Sequence, residues 1–291
     1  MDGEKFNAPS LGHIRTAEQK SVSDTPQRGW LIPIGGAEER TPQAQILRRF
    51  VELCGGEKAK ILVIPTASEL PDTGPNYVSV FEKMGARARY IPIDQREDCF
   101  AEDIVETLNR ANGIFITGGN QLRLSTILGG TPVAKGIRRR YAEGANIAGT
   151  SAGAAIVSEH MIAGGSGGPT PTENGVTMAP GLGLTNKAIV DQHFRQRDRL
   201  GRLLTALSYN PFATGLGIDE DTAAFISPNG ILEVEGSGAI TVVDPAGLRH
   251  SSMYNAAEHD PISLIGITIH ILKAGDQYNL ETREARATSL S

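Results

Sequence analysis

Cysteine is scarce in this chain, and its scarcity removes two classes of protein at once. Only Cys54 and Cys99 occur among 291 residues, too few for a disulfide framework and without the spacing of a metal-ligand set. Both read as packed or surface thiols in a reducing compartment, which makes the cytoplasm the expected location. Long apolar runs are missing too. No stretch of about 18 apolar residues occurs, so no segment is expected to span a membrane. Asp2, Glu4, Lys5, Glu18 and Lys20 break up the opening segment, where no signal-peptide core is expected. An excess of positive charge is also absent: the formal net charge is -5, which argues against a general nucleic-acid binder.

What is present fits a globular protein with a full core. Hydrophobic residues make up 40% and charged residues 21%, the balance of an ordinary soluble domain. Short apolar runs at 30–34, 59–65, 89–93, 113–117 and 145–148 alternate with helix-like segments at 42–53, 75–84, 102–111 and 133–143. Continuous apolar strands separated by amphipathic helices predict a doubly wound α/β fold on a mostly parallel sheet, with ligands at the carboxyl ends of the strands. Residues 1–28 read as a flexible N-terminal arm, 29–281 as a single α/β catalytic domain and 282–291 as a loose tail, because both ends carry too few apolar residues to offset the entropy of ordering. After residue 222 the sequence predicts further short strands that complete or flank the main sheet.

The stretch Gly149-Thr150-Ser151-Ala152-Gly153 concentrates small residues around one hydroxyl. A strand precedes it and a helix start follows, so Ser151 would occupy the strained turn of a nucleophile elbow. The Ala152 N–H would then face an oxyanion formed on an attacked carbonyl. A tight turn whose serine merely caps a helix is the structural alternative. Two glycine loops end neighbouring strands. Thr117-Gly118-Gly119-Asn120-Gln121 has open backbone amides for a second oxyanion donor, with Gln121 available to a substrate. Gly35-Gly36-Ala37-Glu38 lacks the rest of a nucleotide fingerprint and is assigned none.

A serine nucleophile needs a base, and six histidines are available. His13 lies in the arm, His160 beyond the elbow helix, His250 and His259 in turn-rich sequence, and His270 on an alternating strand as a solvent-facing residue. His193 follows the apolar run 187–192 and would reach the same sheet edge as Ser151. An orienting acid is expected in Asp219-Glu220-Asp221, and spacing does not choose among the three. The order serine, histidine, acid differs from that of the α/β-hydrolases and weighs against an esterase or lipase. Arg195, Arg197, Arg199 and Arg202 follow the candidate base closely in an acidic chain. Guanidinium groups at that position suit carboxylate recognition.

Gly118-Gly119-Asn120-Gln121, Gly149-Thr150-Ser151-Ala152-Gly153, Asp191-Gln192-His193-Phe194 and Gly217-Ile218-Asp219-Glu220 occur in this order, and together they resemble the cyanophycinases, a family of serine exopeptidases. The likeness runs from about residue 30 to about 281. It implies a fold similar to class I glutamine amidotransferases, with Ser151 in the place of their nucleophilic cysteine. It implies Glu220 as the acid, and Gln121, Asp191, Gln192, Arg197, Arg199 and Arg202 as residues lining a substrate pocket. It implies a homodimer.

Cyanophycin is polyaspartate with arginine on each β-carboxyl, so every unit presents a carboxylate and a guanidinium. The arginines after His193 would hold the carboxylates and Asp191 the guanidinium. The expected reaction is cleavage of the α-aspartyl bond by Ser151, with His193 as base, Glu220 as orienting acid and the amides of Gly118, Gly119 and Ala152 around the oxyanion, releasing β-Asp-Arg dipeptide. No metal or organic cofactor is called for. An α-aspartyl dipeptidase, a hydrolase of another acidic isopeptide and a catalytically silent binding protein on the same fold are the competing expectations.

Overall fold

The computed structural model describes residues 27–288. The arm predicted over 1–28 therefore lies almost wholly outside the described residues, as does His13. Among the described residues no helix is long and apolar enough to cross a membrane.

In the first half of the chain, β1 (Leu31–Ile34), α1 (Gln45–Leu53), β2 (Lys60–Ile64), α2 (Thr73–Lys83), β3 (Arg87–Tyr90), α3 (Glu102–Asn109), β4 (Gly113–Ile116), α4 (Gln121–Leu128), α5 (Pro132–Ala142) and β5 (Asn146–Thr150) follow one another as expected, except that α4 is an additional helix between β4 and β5. The strands are β-branched and apolar with almost every residue of β1, β2, β4 and β5 buried, which requires helices on both faces. α1 and α2 cover one face around Phe50, Tyr77 and Phe81, while Leu108, Leu124 and Ile137 of α3, α4 and α5 cover the other. The switch of face coincides with the reversal of strand order after β3, since the parallel strands lie in the order β1-β5-β4-β2-β3. The neighbouring strands β1, β5 and β4 end in register, with Ile34 opposite Thr150 and Ile116 opposite Gly149. Three loops thus open side by side at the carboxyl edge.

The second half starts with α6 (Ala152–Ala155), a single turn, followed by β6 (His160–Gly165), β7 (Val176–Pro180), β8 (Ala188–Gln192), α7 (Leu200–Tyr209) and β9 (Thr214–Ile218). Then come β10 (Thr222–Ile226), β11 (Ile231–Gly236), β12 (Ala239–Asp244), β13 (His250–Ser251), β14 (Leu264–Ile265), β15 (Thr268–Lys273), β16 (Gln277–Asn279) and β17 (Glu284–Arg286). β10, β11, β16 and β17 extend the main sheet from β1 with antiparallel pairings, making nine strands. β15, β12, β9 and β8 form a separate four-stranded sheet in which β8 and β9 are parallel. β6 and β7 are a bulged hairpin, for which the glycine-rich sequence carried no strand signal.

Two expectations need correction. The tail predicted loose from 282 instead carries β17, whose Ala285 sits opposite the buried Tyr278. An edge strand is held by backbone pairing, so a polar sequence does not disclose it. On β15 the expected inward and outward faces are exchanged: His270 is half-buried near the Tyr278 ring, while Ile269 and Ile271 are exposed.

Phe115 of β4 is fully buried, with the rings of Phe50, Tyr77 and Phe81 at centroid distances of 6.0, 4.6 and 5.2 Å. Phe115→Ala removes the centre of this aromatic cluster and is expected to cost about 3–5 kcal/mol of stability. Urea denaturation checks this, and an unchanged midpoint would contradict the packing described.

Candidate active site

Ser151 occupies the turn between β5 and α6 with φ 53° and ψ -113°, a conformation that a non-glycine residue keeps only when its surroundings demand it. The demand is visible in the flanking glycines. A Cβ on Gly149 would lie 2.0 Å from the Gly153 carbonyl oxygen, and one on Gly153 would lie 2.1 Å from that of Ile116. Any larger residue at either position would push strand and helix apart. The turn therefore lifts Ser151 above the sheet edge, with the Ala152 amide at the start of α6 donating to no carbonyl among the described residues.

The base arrives from the second sheet. β8 and β9 pair in register up to Gln192 opposite Ile218, so the residues that follow, His193 and the segment 219–221, emerge side by side. His193 takes φ 48° and donates its backbone N–H to the Gly35 carbonyl at 2.8 Å. This turns its ring toward Ser151. Ser151 Oγ and His193 Nε2 are 2.9 Å apart, and His193 Nδ1 lies 2.6 Å from Glu220 Oε1. The three groups form a connected relay: Nδ1–H donates to Glu220, which leaves Nε2 free to accept from the serine.

The neighbouring carboxylates are engaged elsewhere. Asp219 accepts from the amides of Arg195 and Ala239, and Asp221 accepts from the Glu39 amide and the Ser237 hydroxyl. Of the acidic trio only Glu220 contacts the imidazole.

The second glycine loop lies against the nucleophile. A Cβ on Gly118 would stand 3.1 Å from Ser151 Cβ and 3.6 Å from Oγ, and Gly119 has φ 141° with the Ala67 carbonyl where its Cβ would be. Neither glycine amide donates to a carbonyl among the described residues. Gln121, at the first turn of α4, donates its side-chain amide to the Ile162 carbonyl at 3.2 Å and so ties this loop to the β6–β7 hairpin.

The arginine cluster divides in two. Arg202 grips the buried Asp191 through Nε at 2.7 Å and Nη2 at 2.5 Å, and its Nη1 reaches the Gly165 carbonyl at 3.2 Å. Arg199 donates to Gln192 Oε1 at 3.0 Å and to the Gln192 carbonyl. Burial pushes its guanidinium down to about 10. The expectation that Asp191 meets a substrate guanidinium and Arg202 a substrate carboxylate is thereby corrected. Both are buried and neutralise each other, and a buried charge without its partner would be costly. Arg197 is exposed, close enough to lower the proton affinity of His193 by its charge.

The remaining histidines stand apart from this relay. His160 is exposed near the Phe212 ring, His250 and His259 are exposed, and His270 lies on β15. The residues that the sequence reading missed are in the loop after β1. A Cβ on Gly36, whose φ is 98°, would fall 2.4 Å from His193 Cε1 and 2.5 Å from Nε2, so glycine there makes room for the imidazole. The Gly-Gly pair was the available signal.

With this geometry in view, the comparisons with known proteins are direct. The model of peptidase family S51 matches residues 31–234. The chain belongs to peptidase family S51. It is 43% identical over 256 residues to a cyanophycinase of Nostoc sp., covering 87% of this chain and 86% of the relative. It is 42% identical over 263 residues to a cyanophycinase of Geminocystis herdmanii, covering 89% and 97%. Among solved structures it resembles a peptidase from an acI-B1 Actinobacterium, with a TM-score of 0.63 at 22% identity over 88% of this chain and 98% of the other. A peptidase E protein from Listeria monocytogenes gives 0.51 at 19% identity over 72% and 100%. These structural likenesses show that the chain shares its α/β fold with those peptidases.

His193 is held below its ordinary value of 6.5, chiefly by burial, with the charges of Arg197 and Arg199 acting in the same direction against the raising effect of the Glu220 hydrogen bond. The imidazole thus stays neutral, as a base must be, to lower pH than a free histidine. NMR titration of His193 is expected to give a midpoint below about 6.5, with Arg197→Ala moving it upward and Glu220→Gln moving it downward. Movement of Arg197→Ala in the opposite direction would contradict the assigned electrostatics.

Proposed function

We propose that this peptidase is a serine-type exopeptidase of cyanophycin, cutting the α-aspartyl backbone and releasing β-Asp-Arg dipeptide. The observation that carries the reading is the relay of 2.9 and 2.6 Å contacts through Ser151, His193 and Glu220. It occurs in a chain 43% identical to a curated cyanophycinase over nearly the whole of both.

In this mechanism Ser151 Oγ attacks the carbonyl of an aspartyl residue while His193 Nε2 takes its proton. Glu220 holds the imidazole in the required tautomer and stabilises the imidazolium. The oxyanion forms between the Ala152 amide on one side and the Gly118 and Gly119 amides on the other. Protonated His193 then delivers its proton to the leaving amine. Water, deprotonated in turn by His193, hydrolyses the acyl-enzyme. Exposed Arg197 and the remaining donors of Arg199 recognise carboxylates, and Gln121 contributes from the facing loop. Gln192 acts by fixing Arg199, and Asp191 with Arg202 by fixing the floor beneath it. The chain from residue 29 through β17 acts as one catalytic domain, the enzyme is cytoplasmic and it works as a homodimer.

Incubation of the purified protein with insoluble cyanophycin, followed by mass analysis of the released products, tests the assignment. β-Asp-Arg dipeptide is the expected product, and hydrolysis of Asp-X dipeptides alone would replace cyanophycin by a simple aspartyl dipeptide. Ser151→Ala is expected to lower turnover by about 10⁴-fold or more while binding of the polymer persists. Unchanged turnover would refute Ser151 as nucleophile.

A further inference from the structure

The end of β1 and the loop after it hold Ser151, His193 and the residue next to Glu220. Three consecutive carbonyls do so: Ile34 accepts the Ser151 amide at 3.0 Å, Gly35 the His193 amide at 2.8 Å and Gly36 the Asp221 amide, next to Glu220, at 2.8 Å. The Glu39 amide adds a bond to Asp221 Oδ1 at 3.1 Å. Gly36 also forms the wall behind the imidazole. Whatever holds this loop therefore sets the relative position of serine, histidine and acid.

Within residues 37–40 the side chain that turns inward is that of Glu38. Its side chain is 0% exposed, and its two oxygens accept separate hydrogen bonds, Oε2 from the Thr150 hydroxyl and Oε1 from the Tyr77 phenol. Thr150 is the residue before Ser151. Tyr77 belongs to α2 and stacks into the aromatic cluster with Phe81 and Phe115. Arg40 lies over the Tyr77 ring at 4.7 Å with its Nε 3.8 Å from Glu38 Oε1. A buried carboxylate is costly unless its oxygens are satisfied by donors, and here both are. Burial, then the charge of Glu38, raise the Tyr77 phenol, which stays a donor.

We propose that Glu38 is a positioning residue for the hydrolytic reaction: its carboxylate, bonded to Thr150 and Tyr77, fixes the 34–39 loop whose carbonyls align Ser151, His193 and Glu220. The inference rests on the triad reading above and deepens it. Glu38 touches no reacting atom; it acts through Thr150 on the nucleophile and through Gly35 and Gly36 on the base and acid. Displacement of aligned catalytic groups by about 1 Å is enough to lose on the order of 10²-fold in rate, whereas the groups that recognise carboxylates lie on other loops.

Two rates separate this idea from the triad itself: hydrolysis of cyanophycin, and modification of Ser151 by phenylmethylsulfonyl fluoride followed by intact mass, which does not depend on the substrate. Glu38→Gln is expected to slow both by about 10- to 100-fold with KM within about twofold of wild type. Thr150→Val, which keeps the shape and loses the hydroxyl, should do the same. Thr150→Ser should retain nearly the wild-type rates, and Glu38→Gln with Thr150→Val should be no slower than the worse single variant. Wild-type rates in Glu38→Gln overturn the proposal. If Glu38→Gln fails to fold, Thr150→Val decides: wild-type rates in that folded variant overturn it, and a selective fall in kcat supports it. Absence of Ser151 modification in the wild-type protein would overturn the triad reading and the proposal together.

Discussion

The backbone hydrogen bond from the His193 amide to the Gly35 carbonyl joins the end of one sheet to the end of the other. Ser151 follows a strand of the nine-stranded sheet and His193 a strand of the four-stranded one, so neither sheet contains the Ser151–His193–Glu220 relay by itself. The Asp221 amide on the Gly36 carbonyl and the Gly35 amide on the Thr222 carbonyl fasten the acid-bearing turn to the same place. Backbone groups suit this joint because they have no rotamers to lose and must be paired once buried. Positions set in this way tolerate little movement, as a hydrogen-bonded relay requires.

Holding the groups in place strains the backbone locally. Ser151, His193 and Asp221 all take positive φ, each at a cost on the order of 1–3 kcal/mol. These conformations persist because the surroundings leave no room for relaxation: Gly149 meets Gly153, Gly153 meets Ile116, and Gly36 meets the imidazole itself. The fully buried strands and the two helix layers supply the stability against which that strain is held. Strain at the sheet edge and close packing beneath it are thus parts of one arrangement.

Charge is arranged by depth. Arg202 and Asp191 neutralise each other in the interior, Arg199 is buried beside them, and Arg197 remains in solvent near the imidazole. A cluster that looks uniform along the chain therefore performs different tasks. The deep pair ties β8 to α7 and the hairpin, while the outer cation sets a positive potential that disfavours protonation of His193.

Periodicity and small-residue clustering were sufficient to determine the strands of the first half, its helices other than α4 and the turn at Ser151, because these features depend on local sterics and on which faces are buried. The pairing of β17 escaped notice because edge strands are held by backbone groups that carry no residue-specific signature. Among Asp219, Glu220 and Asp221 the sequence offered three equivalent carboxylates. Only the folded chain distinguishes them: the turn consumes Asp219 and Asp221 as acceptors for its own amides and for Ser237, leaving Glu220 to the imidazole. The same holds for Asp191 and Arg202, which the resemblance presented as substrate-binding groups and burial converted into a pair. Residue identity determined which chemistry was possible at each position, whereas desolvation and competition for hydrogen bonds, which exist only once distant segments meet, decided which groups remained free to perform it.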